Sequence, residues 1–183
     1  MKAILVGDNS RDIFTFADSA VGRDVMPLFV PDFNPDGTQW QCRAALAFRI
    51  ERLGKNVSPK FALRYIDAVG VVALLTPAAP DGQERSFAQL PTWLGIMDSG
   101  ITTGKWLALP DGPIVMRVGD SEIAMPDAFE EAARAVVTAA SLATVKTGDI
   151  IIPALPMAEV PVVTNTRLEA AICGEKALSL KIK

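Results

Sequence analysis

Histidine is absent from this 183-residue chain. That absence removes Ser-His-Asp and Cys-His nucleophilic systems, histidine general bases and His-ligated zinc from the chemistry the chain can perform alone. Cysteine is scarce: Cys42 and Cys173 are the only two, far apart and in no metal-ligand or redox spacing, so both read as free thiols. No apolar run approaches the roughly eighteen residues of a membrane-spanning helix. Excess positive charge is lacking too. With 18 Lys and Arg against 21 Asp and Glu, the net charge is -3, which gives no electrostatic basis for binding nucleic acid or an anionic membrane surface. Neither a Walker A sequence nor a GxGxxG fingerprint occurs, so nucleotide-dependent readings have no motif to stand on.

What is present is apolar: hydrophobic residues make up 50% of the chain, and its length suits a single domain over residues 1–183 with one core. The opening MKAILVG is followed at once by Asp8 and is too short for a signal segment, so it reads as a first strand in a soluble, cytoplasmic protein. Further strands are expected at Met26–Val30, Arg43–Ile50, Leu107–Leu109, Ile114–Val118, Ile150–Ile152, Val160–Val163, Leu168–Ile172 and Ala177–Ile182. Val69–Leu75 is a continuous apolar run, as expected for a strand buried on both faces. Two helices interrupt them. One starts at Ser58-Pro59, with Ser as cap and Pro at the first helical position, and is expected to reach Ala68 with Phe61, Leu63, Tyr65 and Ile66 on its apolar side. The other spans Asp127 to about Ala143, alanine-rich with acids in its first turn. Pro77–Gln89 is polar and Pro/Gly-rich, the composition of a surface loop.

The turns between these segments hold most of the polar side chains that could carry chemistry. Gly54-Lys55-Asn56 reads as a tight turn needing a positive φ, with a ligand contact from Lys55 as the alternative. Asn9 reads as a residue that satisfies its own backbone, or as a substrate contact. Asp98-Ser99-Gly100 reads as a turn, since no histidine is available to activate Ser99. Asp8 and Asp12 make a weak cation site without a third ligand, with Arg11 between them to neutralise them.

Taken in order, these segments resemble the catalytic domain of the fumarylacetoacetate hydrolase family. The similarity is carried by the starting VG strand, the strand leading into Gly54-Lys55-Asn56, the Ser-capped helix, the buried strand, the segment GKWLALPDG with Gly104, Trp106 and Pro110, and Thr147-Gly148-Asp149 before a strand. The resemblance implies an α+β, mainly β fold, a mixed β-roll or barrel with a few short helices. It also implies a homodimer that handles small 2-oxo acids with Mg²⁺ or Mn²⁺ held by three carboxylates.

The positions that match those three ligands are Arg43, Ala45 and Leu74. A guanidinium, a methyl and an isobutyl group cannot replace three anions. Where the family has VGRNY and a following His, this chain has Asp8 for Arg, keeps Asn9, and has Ser10 for Tyr and Ile13 for His. The family's Lys falls on Gly95, its Asp-Thr on Asp98-Ser99, and its Gly-Thr-Pro turn on Ala154-Leu155-Pro156. The expectation is therefore a non-catalytic protein with no metal or other cofactor, acting as a homodimer or as partner of an active relative. Two alternatives stand beside it. One is a divergent hydrolase, decarboxylase or tautomerase of small 2-oxo acids with a relocated site at Asp8, Asp12 or Asp98. The other is a metal-free binder of a small carboxylate at Arg43, Lys55 and Asn9, in which the guanidinium takes the place of the metal's charge and holds the carboxylate at two points.

Overall fold

The computed structural model of the protein describes all residues except 10, 33, 34, 36, 38 and 79–85. Ser10 and most of the expected Pro77–Gln89 loop lie outside the described residues.

Two long strands form the frame: β4 (Trp40–Ile50) and β5 (Ile66–Pro77), paired antiparallel along almost their whole length. Their residues are small or branched and apolar, and β5 is buried on both faces, as its continuous apolar run predicts. The other strands, in chain order, are β1 (Ala3–Val6), β2 (Ile13–Phe16), β3 (Val21–Arg23), β6 (Ile101–Thr103), β7 (Leu107–Ala108), β8 (Ile114–Val118), β9 (Ser121–Met125), β10 (Ile150–Pro153), β11 (Ala158–Val160), β12 (Arg167–Ile172) and β13 (Glu175–Lys181). One mixed sheet runs β2-β1-β10-β4-β5-β6-β3, with β11 added to β4 and β7 to β5. Within it β1 and β10 are parallel, as are β3 and β6. A second, antiparallel sheet runs β13-β12-β8-β9. The fold is mainly β, the roll expected from the sequence.

Period-two alternation sends successive side chains of β4 and β5 to opposite faces. Leu46, Phe48, Val71, Ala73 and Leu75 enter a large core shared with the second sheet and with helix α1 (Ala128–Leu142). Ala45, Ala47, Val72 and Leu74 enter a second apolar cluster with Leu5, Phe16, Leu94 and Ile101. The α1 residues that face the first core are Ala128, Ala132, Ala135, Val136, Ala139 and Ala140. Alanine at this helical spacing lets the helix lie close to the sheet.

The first expected helix is different in kind. Pro59–Tyr65 is a 3₁₀ helix, and Ser58 caps it without a side-chain hydrogen bond. It ends at Tyr65 because Ile66 already belongs to β5 and its ladder with β4. Phe61 and Leu63 are exposed, so the expected apolar side is only partly buried. Met26–Val30 contributes a single bridge, Leu28 to Ile182, instead of a strand, and the expected Val160–Val163 strand lies earlier, at Ala158–Val160. The turn at residues 146–149 forms around Gly148, at φ +85°. There buried Asp149 accepts from the amides of Lys2 (3.0 Å) and Lys146 (2.9 Å) and pairs with the Lys2 ammonium. No helix is long and apolar enough to cross a membrane among the described residues.

Candidate functional site

A cleft of about 670 Å³ opens where β4 and β11 meet the loop after β1. Its base is set by a row of residues across the sheet. Glu159 of β11 lies directly opposite Arg43 of β4, Arg43 opposite Leu74 of β5, and Leu74 opposite Ile101 of β6. Residues opposite one another in paired strands share a face. The three positions matched to metal ligands therefore fall together, Arg43 and Leu74 side by side and Ala45 two residues along β4 on the same face. Arg43 is half-buried and lines the cleft. Ala45 and Leu74 do not line it; they are 1% and 2% exposed within the apolar cluster.

One wall is the loop between β1 and β2. Gly7 donates its amide to the Asp12 carbonyl at 2.7 Å, and a Cβ at Gly7 would stand 1.9 Å from an Asp12 carboxylate oxygen, so any side chain there would have to displace that of Asp12. Asn9 is consumed by the same loop, its side-chain oxygen accepting from the amides of Arg11 and Asp12 at 3.0 and 3.1 Å. This is an Asx-type turn. From α1, Arg134 donates to the Gly7 carbonyl at 2.9 Å while Glu131 holds its guanidinium, which ties the helix to the cleft wall. Asp12 faces the cleft and accepts from the Ala88 amide at 2.7 Å, anchoring the 3₁₀ turn Phe87–Gln89, whose Phe87 also lines the cleft. Ala154-Leu155-Pro156 and Met157 also line the cleft.

The remaining sequence candidates lie elsewhere. Lys55 is not among the cleft-lining residues and donates to the Ser141 carbonyl at the end of α1, 2.9 Å away. Its neighbour Asn56 takes the positive φ, +52°. Asp98 is outside the cleft, in a turn in which Ser99 takes φ +56°. Gly95, the position matched to the family's Lys, is buried with Thr15 carbonyl oxygen 2.6 Å from where a Cβ would stand. No side chain of any length fits there without moving β2. Ile13, at the position of the family's His, packs against the larger core.

The sequence does not point to Glu159 or Phe87, and it puts Arg134 with Glu130 and Glu131 on the solvated side of the second helix; Arg134 is instead half-buried and reaches the Gly7 carbonyl of the cleft wall. The others depend on strand register and loop path. Among the described residues, the cleft thus presents the Arg43 guanidinium and the carboxylates of Asp8, Asp12 and Glu159, together with the apolar side chains of Phe87, Leu155 and Met157. A divalent ion with hard oxygen ligands does not fit the matched positions, which offer no oxygen. Among the described residues, no group of three or more His, Cys, Asp or Glu side chains is placed to hold a metal.

The sequence matches no family model and no curated protein. The structure does have counterparts. It is similar to 5-carboxymethyl-2-hydroxymuconate delta-isomerase from Mycobacterium smegmatis, with TM-score 0.75 and 16% identity over 99% of this chain and 78% of that one. A protein from Yersinia pestis CO92, described as of the fumarylacetoacetate hydrolase family, gives TM-score 0.75 and 16% identity over 100% and 93%. Fumarylpyruvate hydrolase from Pseudomonas aeruginosa, in complex with Mn²⁺ and pyruvate, gives 0.71 and 15% over 100% and 90%. The chain has the fold of fumarylacetoacetate hydrolase-family proteins, a fold that carries isomerases and hydrolases in these relatives.

Proposed function

We propose that this protein is a metal-free member of the fumarylacetoacetate hydrolase fold that does not perform metal-dependent 2-oxo acid chemistry and acts through association, as a homodimer or with an active relative. The Arg43–Leu74 cross-strand pair carries the reading. It supports placing the matched positions on one face, where a fixed positive charge and two apolar groups stand in a site that would have to hold a divalent cation. A cation beside the guanidinium meets repulsion instead of ligands. Exposed Leu53, Phe61, Leu63 and Leu142, on the end of α1 and segments docked near it, offer apolar surface for association.

Thermal unfolding with Mg²⁺ or Mn²⁺ against a chelator control tests the metal-free half, since a ligand that binds the native state raises the midpoint. An unchanged midpoint and no turnover of an acylpyruvate or oxaloacetate is the expected result. A metal-dependent rise, or metal-dependent turnover by protein free of host enzymes, overturns it. Light scattering of the purified protein, alone and mixed with a relative of the same fold, tests association.

A second reading, a metal-independent hydrolase, decarboxylase or tautomerase of a small 2-oxo acid, is favoured by one observation: Asp8 and Asp12 line the same cleft as Arg43. It requires turnover in chelator that Asp8→Asn removes while the unfolding midpoint stays in place.

A further inference from the structure

We infer that the cleft binds a small zwitterion: a molecule with one carboxylate, one ammonium group and a compact apolar body, the chemistry of a free α-amino acid with an apolar side chain. This goes beyond the metal-free reading above by giving the cleft a ligand, and extends the sequence expectation of a small carboxylate at Arg43 with a second, oppositely charged end.

The charged groups of the cleft differ in how far they are already committed. Asp12 is used by the Ala88 amide and by the tight loop at Gly7. Asp8 and Glu159 are exposed, and among the described residues neither has a hydrogen-bond or ion-pair partner. Arg43 already takes part in an interaction within the chain, but a guanidinium has five N–H donors in a planar fork, more than one acceptor uses. Glu159 lies opposite Arg43 on paired strands, so their side chains leave the same patch of sheet.

Among the described residues, a dicarboxylate entering this cleft meets the Arg43 guanidinium, which already serves one partner, and the two uncommitted carboxylates of Asp8 and Glu159, which repel its second anionic end. An amine with no acid meets the carboxylates but also the guanidinium. A molecule that carries both charges satisfies Arg43 at one end and Glu159 or Asp8 at the other. Its body lies against Phe87, Leu155 and Met157. The cleft volume falls in the range of small-molecule sites, about 300–1,000 Å³.

The test is calorimetric titration of the intact protein with four probes: L-leucine, 4-methylpentanoate (the same body with the acid alone), 3-methylbutylamine (the amine alone) and succinate. L-Leucine is expected to bind saturably, and each single-charge analogue at least about tenfold more weakly, a difference of about 1.4 kcal/mol. Arg43→Ala and Glu159→Gln are each expected to weaken L-leucine by about tenfold or more. Glu159→Gln should leave 4-methylpentanoate unaffected or bound more tightly, an effect that general structural damage would not produce. A chelator stays in every titration, so these results are separate from the metal test. Equal affinity for L-leucine and either single-charge analogue overturns the inference, as does no saturable heat at millimolar L-leucine. So does L-leucine binding that neither variant alters.

Discussion

Arg49 and Asp67 are joined at two points, Nε to Oδ1 at 3.0 Å and Nη2 to Oδ2 at 2.6 Å, beside the irregularity that ends the β4–β5 ladder. The Asp67 hydrogen bond raises the Arg49 pKa further above an already high value, and Trp106 lies 5.9 Å from the guanidinium. The pair is about one third exposed on both sides, so water weakens it. Asp67→Asn is expected to lower unfolding stability by about 1 kcal/mol, near the upper end for partly exposed pairs. Arg49→Lys should cost a similar amount, because an ammonium cannot make the two-point contact. Urea unfolding midpoints of both variants check this; no change in either would mean the pair is geometry without energy.

Asp149 is expected to be far more costly to lose. It is 2% exposed and serves two amides and the Lys2 ammonium. Removing one partner of a buried pair costs about 3–5 kcal/mol, and the partial exposure of Lys2 puts Asp149→Ala near 3 kcal/mol at the low end of that range. The β1–β10 pairing should loosen first, visible as faster amide exchange at Ile150, whose amide bonds the Lys2 carbonyl.

The two cysteines should differ sharply in reactivity. Burial pushes the Cys42 thiol up to about 12, while Cys173 is exposed. Only one thiol should react with a thiol reagent in the native protein near neutral pH, and two after unfolding. The linkage has a definite sign. An unfolded thiol loses its proton from about pH 8.5, while native Cys42 keeps its own. The unfolded state therefore binds fewer protons, and the Cys42 contribution to stability is present below the unfolded value and falls as pH rises toward about 12. Cys42→Ala should flatten that alkaline decline; an unchanged decline would assign it to other groups.

Gly104→Ala is expected to separate the two sheets locally. A Cβ there would stand 2.0 Å from the Ala177 carbonyl oxygen, which is backbone of β13 and cannot swing aside. The amide of Lys105, the next residue, donates to that same carbonyl at 2.7 Å. A loss of about 3 kcal/mol or more is expected, in the class of overpacking and strain effects. A stability loss below about 1 kcal/mol, the range of ordinary surface changes, would show that the loop yields.

The central pair of strands was legible because β4 and β5 are apolar over more residues than any turn interrupts, and α1 because alanine and apolar spacing agree. The short strands were not. Ile13–Phe16, Val21–Arg23, Ile101–Thr103 and Ser121–Met125 are three to five residues each, too brief for alternation to stand out, and they exist because neighbours supply their ladders. The 3₁₀ helix at Pro59–Tyr65 carries α-helix signals that the start of β5 overrides. At the cleft, Arg43 and the residues of the β1–β2 loop could be named from sequence. Glu159 could not, because the register that sets it against Arg43 pairs segments far apart in the chain. Lys55 illustrates the reverse case, a turn residue whose charge goes to a helix carbonyl instead of the cleft.

The burial of Ala45 and Leu74 also bears on which substitutions this face can accept. A carboxylate introduced at either position would enter a layer packed by Leu5, Phe16, Leu94 and Ile101 before any cation was there to neutralise it. Overpacking and an unpaired buried charge would destabilise the fold together. A carboxylate at Ala45 or Leu74 alone therefore lowers stability and holds no metal. For mutation and selection the packing acts as a filter: these two positions can drift among apolar residues, while an acid at either one is removed with the unstable chains that carry it.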